Sequence, residues 1–285
     1  MNLGCRALAC RDDVQGADIP LHLIYPTDAP ATPHAFGPYA IDLALDATPS
    51  GPSLPLVVIS HGNQGTPWGY RGLATHLVQH GFAVALPEHV GNSRRDNSLA
   101  GTPANLASRP RHVRLAIDAA LADPILGPHL SGAAAVAGHS FGGYTALAVA
   151  GGRPMSLPTE EPDGVGKPIP IERDPRVRAL VLLAPALPWL MYPGALAEVT
   201  VPILLRTAEL DDLTRPAFIE HVMRDLRAPI DAACIAGAGH FACFFPVPDA
   251  LKHLPIGLDP PSFDRASIQP ALYADVVTFL RTALA

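Results

Sequence analysis

The sequence predicts an α/β protein: a mostly parallel central sheet of about eight strands with helices on both faces. Three observations point there. Short apolar runs alternate with longer segments of helical period through the middle of the chain. The runs are continuous rather than alternating, as strands covered on both faces require. The same rhythm continues on both sides of a Pro/Gly-rich interruption, so the 285 residues read as a single domain over residues 1–285.

Two early stretches, Ile19 to Tyr25 and Tyr39 to Leu45, are candidate antiparallel edge strands. Six continuous apolar runs follow as buried strands: Leu54 to Ser60, Phe82 to Pro87, Ala133 to Gly138, Ala179 to Ala184, Pro202 to Thr207 and Ile230 to Gly237. Helices are expected over Gly69 to His80, Ala104 to Ala122, Phe141 to Gly151, Arg215 to Leu226 and Ser267 to Leu284. The second has the clearest sided pattern. Val113, Ile117, Ala120 and Leu121 recur at helical steps, with Arg111, Arg114 and Asp118 largely opposite. Residues 152–175, dense in Pro and Gly and carrying Glu160, Glu161 and Asp163, read as a surface excursion.

Composition narrows the function classes. With 48% hydrophobic and 16% charged residues the chain has ample material for a core. A formal net charge of −6 and no Lys/Arg cluster give no attraction for nucleic acid or acidic membranes. The opening MNLGCRALACRDD lacks a signal-peptide core, and Pro, Gly or charge interrupts every window before the ~18 apolar residues a membrane helix needs. The expectation is a cytoplasmic protein without membrane insertion. Cys5, Cys10, Cys234 and Cys243 lack paired CxxC spacing, so a zinc site is not expected and reduced thiols are.

The sharpest local signal is Gly138-His139-Ser140-Phe141-Gly142, a G-x-S-x-G between an apolar strand and a helix-forming run. The pentapeptide alone is weak; its flanks make it a candidate nucleophile elbow. Glycines on both sides let the chain turn so tightly that the serine oxygen stands above the sheet edge, at the start of a helix. A serine hydroxyl is a poor nucleophile near neutral pH, so it needs a histidine base held by a carboxylate. In such a fold the order is Ser, acid, His, with each residue after a strand. Glu209, Asp211 and Asp212 follow one strand, and His240 follows the last in a glycine-rich loop. His240 is the expected base; Asp211 is the preferred acid, with Asp212 second. Acyl transfer also needs two donors for the oxyanion. The backbone N–H of Phe141 is one; that of Asn63, in Ser60-His61-Gly62-Asn63-Gln64-Gly65, is the other, with Gln64 as alternative. His61 is read as a brace for that loop.

With SHGNQG at Ser60 to Gly65, LVQHGFAVALPEHVGNS at Leu77 to Ser93, GHSFGG at Gly138 to Gly143, the AELDD loop and GAGHF at Gly237 to Phe241, the chain resembles the dienelactone-hydrolase-like branch of the α/β-hydrolase superfamily. Within it the likeness is to the platelet-activating-factor acetylhydrolase-like serine esterases. The resemblance covers most of the chain. It implies the α/β-hydrolase fold and metal-independent, cofactor-free ester hydrolysis through an acyl-enzyme, with Ser140, Asp211 and His240 as triad. Dienelactone hydrolases proper are expected to carry cysteine at the nucleophile, so Ser140 argues against dienelactone as substrate.

Specificity is less legible. The apolar, aromatic stretch after the fourth long strand suggests a lid or pocket wall over residues 185–197, with Trp189, Met191 and Tyr192 against the substrate. Phe241, Phe244 and Phe245 beside the base are candidates for the opposite wall. The expected partner is a small-molecule ester. The same residues would also serve an acyltransferase or thioesterase, and a fold of this kind can persist as a binding module without catalysis.

Overall fold

The computed structural model describes residues 1–285. Ten strands form one continuous sheet: β1 (Asn2–Asp12), β2 (Ala17–Thr27), β3 (Thr32–Phe36), β4 (Tyr39–Leu45), β5 (Leu54–Ser60), β6 (Ala83–Pro87), β7 (Leu130–His139), β8 (Val177–Leu183), β9 (Ile203–Ala208) and β10 (Ile230–Ile235). Their spatial order is β10-β9-β8-β7-β5-β6-β2-β1-β4-β3. From β10 to β6 all neighbours are parallel, and β2 joins β6 antiparallel.

Helices α1 (Arg71–Gln79) and α5 (Arg265–Ala283) cover one face; α2 (Pro103–Ala122), α3 (Phe141–Val149) and α4 (Pro216–Met223) cover the other. The central strands feed both cores. In β5, Val58 packs toward α2 and α3 while Val57 and Ile59 pack toward α1 and α5; in β8, Leu180 and Leu182 alternate with Val181 and Leu183 in the same way. Period-two geometry thus explains why these strands are apolar throughout.

Two strands lie beyond the expected eight. β1 runs antiparallel to β2 along all eleven residues, and β3 pairs with β4. Alternate burial along β1 leaves polar residues between apolar ones, and its charges are answered by distant partners: Arg6 pairs with Asp46 and Asp123, and Asp12 with Arg111. No continuous apolar run announces such a strand. β10 is present, yet it is an exposed edge rather than a buried strand.

Residues 152–175 contain only a short 3₁₀ turn at Pro158–Glu160 and an isolated bridge between Met155 and Pro168. No helix is long and apolar enough to cross a membrane.

Within α2, Pro110 lacks the N–H that would bond to the Leu106 carbonyl. The Tyr144 hydroxyl of α3 donates to that carbonyl at 3.0 Å, so the missing helix bond becomes a clamp between α2 and α3.

Candidate active site

The parallel strands place their carboxyl ends side by side: Ser60 of β5 pairs with Gly138 of β7, and His139 with Leu183 of β8. Such an edge gathers loops from several strands, as ligand sites of parallel sheets do. Ser140 sits in the turn from β7 to α3 at φ 55°, ψ −121°. That conformation is sparsely populated for a residue with a Cβ and is held by the surroundings. The flanking glycines have no substitute. A Cβ on Gly138 would stand 2.0 Å from the Gly142 carbonyl oxygen, and one on Gly142 would stand 1.9 Å from that of Ser60.

Asp211 and His240 leave the ends of β9 and β10 and meet. His240 Nδ1 donates to Asp211 Oδ2 at 2.7 Å. Asp211 is almost fully buried, and its Oδ1 accepts the backbone N–H groups of Leu213 and Thr214 at 2.8 and 2.7 Å. The Thr214 hydroxyl lies 2.7 Å from Oδ2. Burial by itself would raise this carboxyl, but the hydrogen bonds from His240 and Thr214 outweigh it and hold the group below its usual range. Asp212 points away as an exposed residue, and Glu209 accepts from the Gly237 N–H. Sequence spacing left the carboxylates of this loop open; only Asp211 meets the histidine.

Ser140 and His240 line one cavity of about 240 Å³ together with Tyr39, Asn63, Gln64, Arg94, Leu213, Phe241 and Phe244. A larger cleft of about 750 Å³ lies between α1, β4 and Tyr273 and contains none of the three candidate catalytic residues. Asn63 lines the cavity with Ser140, and Phe141 follows Ser140 as the first residue of α3.

The expected aromatic wall is elsewhere. Trp189 packs on Phe141 with ring centroids 4.6 Å apart and donates to Glu160, so it supports the elbow helix from behind. Met191 and Tyr192 line a separate cavity beside α4. Apolar composition predicted that this stretch packs; it carried no information on which side. Of the six proposed wall residues, Phe241 and Phe244 line the cavity with Ser140 and His240, while Phe245 lines the larger cleft beside α1.

Sequence reasoning also missed a buried polar chain. Gly62 N–H donates to the Tyr70 hydroxyl at 3.3 Å, which lies 2.8 Å from His139 Nδ1; His139 Nε2 lies 2.9 Å from the carbonyl of His240. The carbonyl can only accept, so His139 carries its proton on Nε2 and takes the Tyr70 proton at Nδ1. Burial and the neighbouring His240 push His139 down to about 3, so it is neutral near pH 7. His61 is likewise neutral, pushed to about 3 by burial and Arg109. Its Nδ1 donates to the Gly62 carbonyl at 2.8 Å and its Nε2 accepts the His89 N–H at 3.1 Å, which ties the β5 loop to the loop after β6.

Among solved structures the chain is similar to a ferulic acid esterase from Streptomyces cinnamoneus, with 20% identity, TM-score 0.71, and 99% of this chain and 90% of that one covered. It is also similar to a dienelactone hydrolase from Anabaena variabilis, with 18% identity, TM-score 0.61 and 99% of both chains covered. The chain has the α/β-hydrolase fold. A dienelactone hydrolase-like promiscuous phosphotriesterase from metagenomic libraries superposes with TM-score 0.64 at 16% identity, over 99% of both chains. No family model and no curated protein sequence matches the chain.

Proposed function

We propose that this α/β-hydrolase cleaves a carboxylic ester through an acyl-enzyme, with Ser140 as nucleophile, His240 as general base and Asp211 as the orienting acid. The observation that carries the reading is the 2.7 Å hydrogen bond from His240 to buried Asp211, beside a cavity that His240 shares with Ser140. With Nδ1–H committed to Asp211, the imidazole presents Nε2 as its basic nitrogen. His240 takes the Ser140 proton as the oxygen attacks the ester carbonyl. The tetrahedral oxyanion accepts hydrogen bonds from the N–H groups of Phe141 and Asn63, worth several kcal/mol in comparable sites, of order 10²–10³ in rate per donor. Collapse expels the alcohol, which takes its proton from His240. Water, deprotonated by the same nitrogen, then releases the acid and restores Ser140.

Asn63, Gln64, Arg94 and Leu213 on the rim are exposed, so water reaches the cavity. That openness favours hydrolysis over acyl transfer to a second substrate, which needs a dry acceptor site. The neighbours' names as esterases and hydrolases agree with the same chemistry.

A fluorophosphonate probe tests the assignment. The expected result is covalent labelling of the wild-type enzyme at Ser140 and none of Ser140→Ala, with p-nitrophenyl ester hydrolysis lost in the same variant. Labelling that persists in Ser140→Ala refutes the nucleophile. A folded wild type that takes no label at all refutes the hydrolase and leaves a binding protein.

A further inference from the structure

Arg109 of α2 is fully buried and forms no ion pair. An unpaired buried charge is costly to a fold, so its surroundings ask for an explanation. Every partner is neutral, and each belongs to the machinery around Ser140. Nη2 donates to the carbonyl of His61, in the loop that carries Asn63. Nη1 donates to Asn92 Oδ1 at 2.6 Å, and Asn92 Nδ2 donates in turn to Asn63 Oδ1 at 2.6 Å and to Asn97 Oδ1 at 2.8 Å. Nε donates to the Thr145 hydroxyl at 3.0 Å, which passes its own proton to the Phe141 carbonyl at 3.1 Å. The guanidinium carbon lies 4.6 Å above the centre of the Phe141 ring.

Resting on the hydrolase reading above, we infer that Arg109 is the positioning residue of the oxyanion hole, one planar group that fixes the Asn63 loop and the Phe141 turn relative to each other. The two donors lie 78 positions apart in the chain; the pairing of Ser60 with Gly138 brings their segments side by side, and Arg109 bonds to both beyond the strand ends. A guanidinium presents its donors in a rigid fork, so the partners it touches are held at fixed mutual angles. The Tyr144 clamp to Leu106 secures the stretch of α2 from which the fork projects.

The charge has a second consequence. Each hydrogen bond from a cation polarises the group that accepts it, so the His61 carbonyl makes the Gly62 N–H, its partner in the same peptide unit, a better donor to Tyr70. On the far side, Ser60 accepts from Arg109 at 3.4 Å and lies 2.8 Å from His89 Nε2, with His112 next in line. Burial first, and then Arg109 itself, hold His89 and His112 below their usual range; the carboxylate on that side, Asp12 at 3.4 Å from His112 Nε2, is already paired with Arg111.

The test uses the full-length enzyme, p-nitrophenyl butyrate and an alkyl trifluoromethyl ketone, which forms a tetrahedral adduct with an oxyanion. In Arg109→Met, kcat is expected to fall about 100-fold with KM within about threefold of wild type, since only transition-state contacts are lost. Inhibition by the ketone should weaken by the same factor. Arg109→Lys keeps the charge without the fork and should recover only part of the loss. A folded Arg109→Met with kcat within threefold of wild type, or a loss confined to KM with ketone affinity unchanged, overturns the inference while leaving the hydrolase intact. If neither Arg109 variant folds, Asn92→Ala decides: kcat about tenfold lower at constant KM supports the role, and wild-type kcat overturns it. Wild type that is neither labelled by fluorophosphonate nor active on esters removes the hydrolase reading and this inference together.

Discussion

His240 Nδ1 and Asp211 Oδ2 lie 2.7 Å apart, and the same oxygen lies 2.7 Å from the Thr214 hydroxyl. The carboxylate is therefore fixed from three sides before it meets the imidazole. Asp211→Asn should lower kcat by about 10³–10⁴, because an amide that donates to Nδ1 leaves the base in the wrong tautomer. Asp212→Asn should stay within twofold of wild type, about the scatter of a surface change. Steady-state kinetics on p-nitrophenyl butyrate decides, and the reverse pattern would move the role to Asp212.

Strain at Ser140 makes a stability prediction. Its φ of 55° with ψ −121° costs on the order of 1–3 kcal/mol for a residue with a Cβ. Glycine removes the strain and adds about 0.5–1 kcal/mol of backbone entropy to the cost of folding. Ser140→Gly should therefore be about 1 kcal/mol more stable than Ser140→Ala, with both inactive. Urea denaturation measures the difference, and a less stable glycine variant contradicts the strain argument.

Acid should weaken the fold well before carboxylates titrate. His61 and His139 are held down to about 3 by burial first, and His89 is depressed by burial and Arg109. Unfolded histidine titrates near ~6.5, so between there and the native values the unfolded chain binds more protons. Stability contributed by these groups is complete above about pH 6.5 and is lost as pH falls, by ~1.4 kcal/mol per pH unit for each histidine. Asp211, Asp174 and Asp12 are also depressed in the folded state and add a further loss below about pH 4. Urea midpoints at pH 7.5, 6, 5 and 4 should be level at the top of the range and fall steadily below 6. A midpoint unchanged down to pH 4.5 would contradict neutral burial of the three histidines.

The cavity limits the acyl group. At about 240 Å³ it lies below the ~300–1,000 Å³ usual for drug-sized ligands, and Phe241 and Phe244 wall it beside His240. On a series of p-nitrophenyl esters, kcat/KM for acetate and butyrate should exceed that for laurate by on the order of tenfold. A preference for laurate would mean that the acyl chain lies outside this cavity.

What the sequence made legible follows from what each signal encodes. β5, β6, β8 and β9 are buried on both faces, so apolar runs mark them. β1 hides because its buried charges are satisfied by Asp123 and Arg111, more than a hundred and nearly a hundred residues away. The candidates Ser140, Asp211 and His240 stood out because each follows a strand, and the structure puts Ser140 and His240 on one cavity with Asp211 bonded to His240. Arg109, Asn92 and Tyr70 could not: an arginine in a helix reads as solvent-facing, and only tertiary packing shows that α2 turns it inward. Trp189 failed for the opposite reason, since aromatic content predicts burial and says nothing of the neighbour.

The chain from Gly62 through Tyr70 and His139 to the His240 carbonyl has a dynamic consequence. It stitches the loop after β5, the turn after β7 and the loop after β10 into one mesh with no slack proton. A fluctuation that frees any one of them must break bonds shared with the other two, so local opening here is cooperative. The three segments should therefore breathe as a unit, with little population of arrangements in which the His240 loop has moved while the Ser140 turn stays in place.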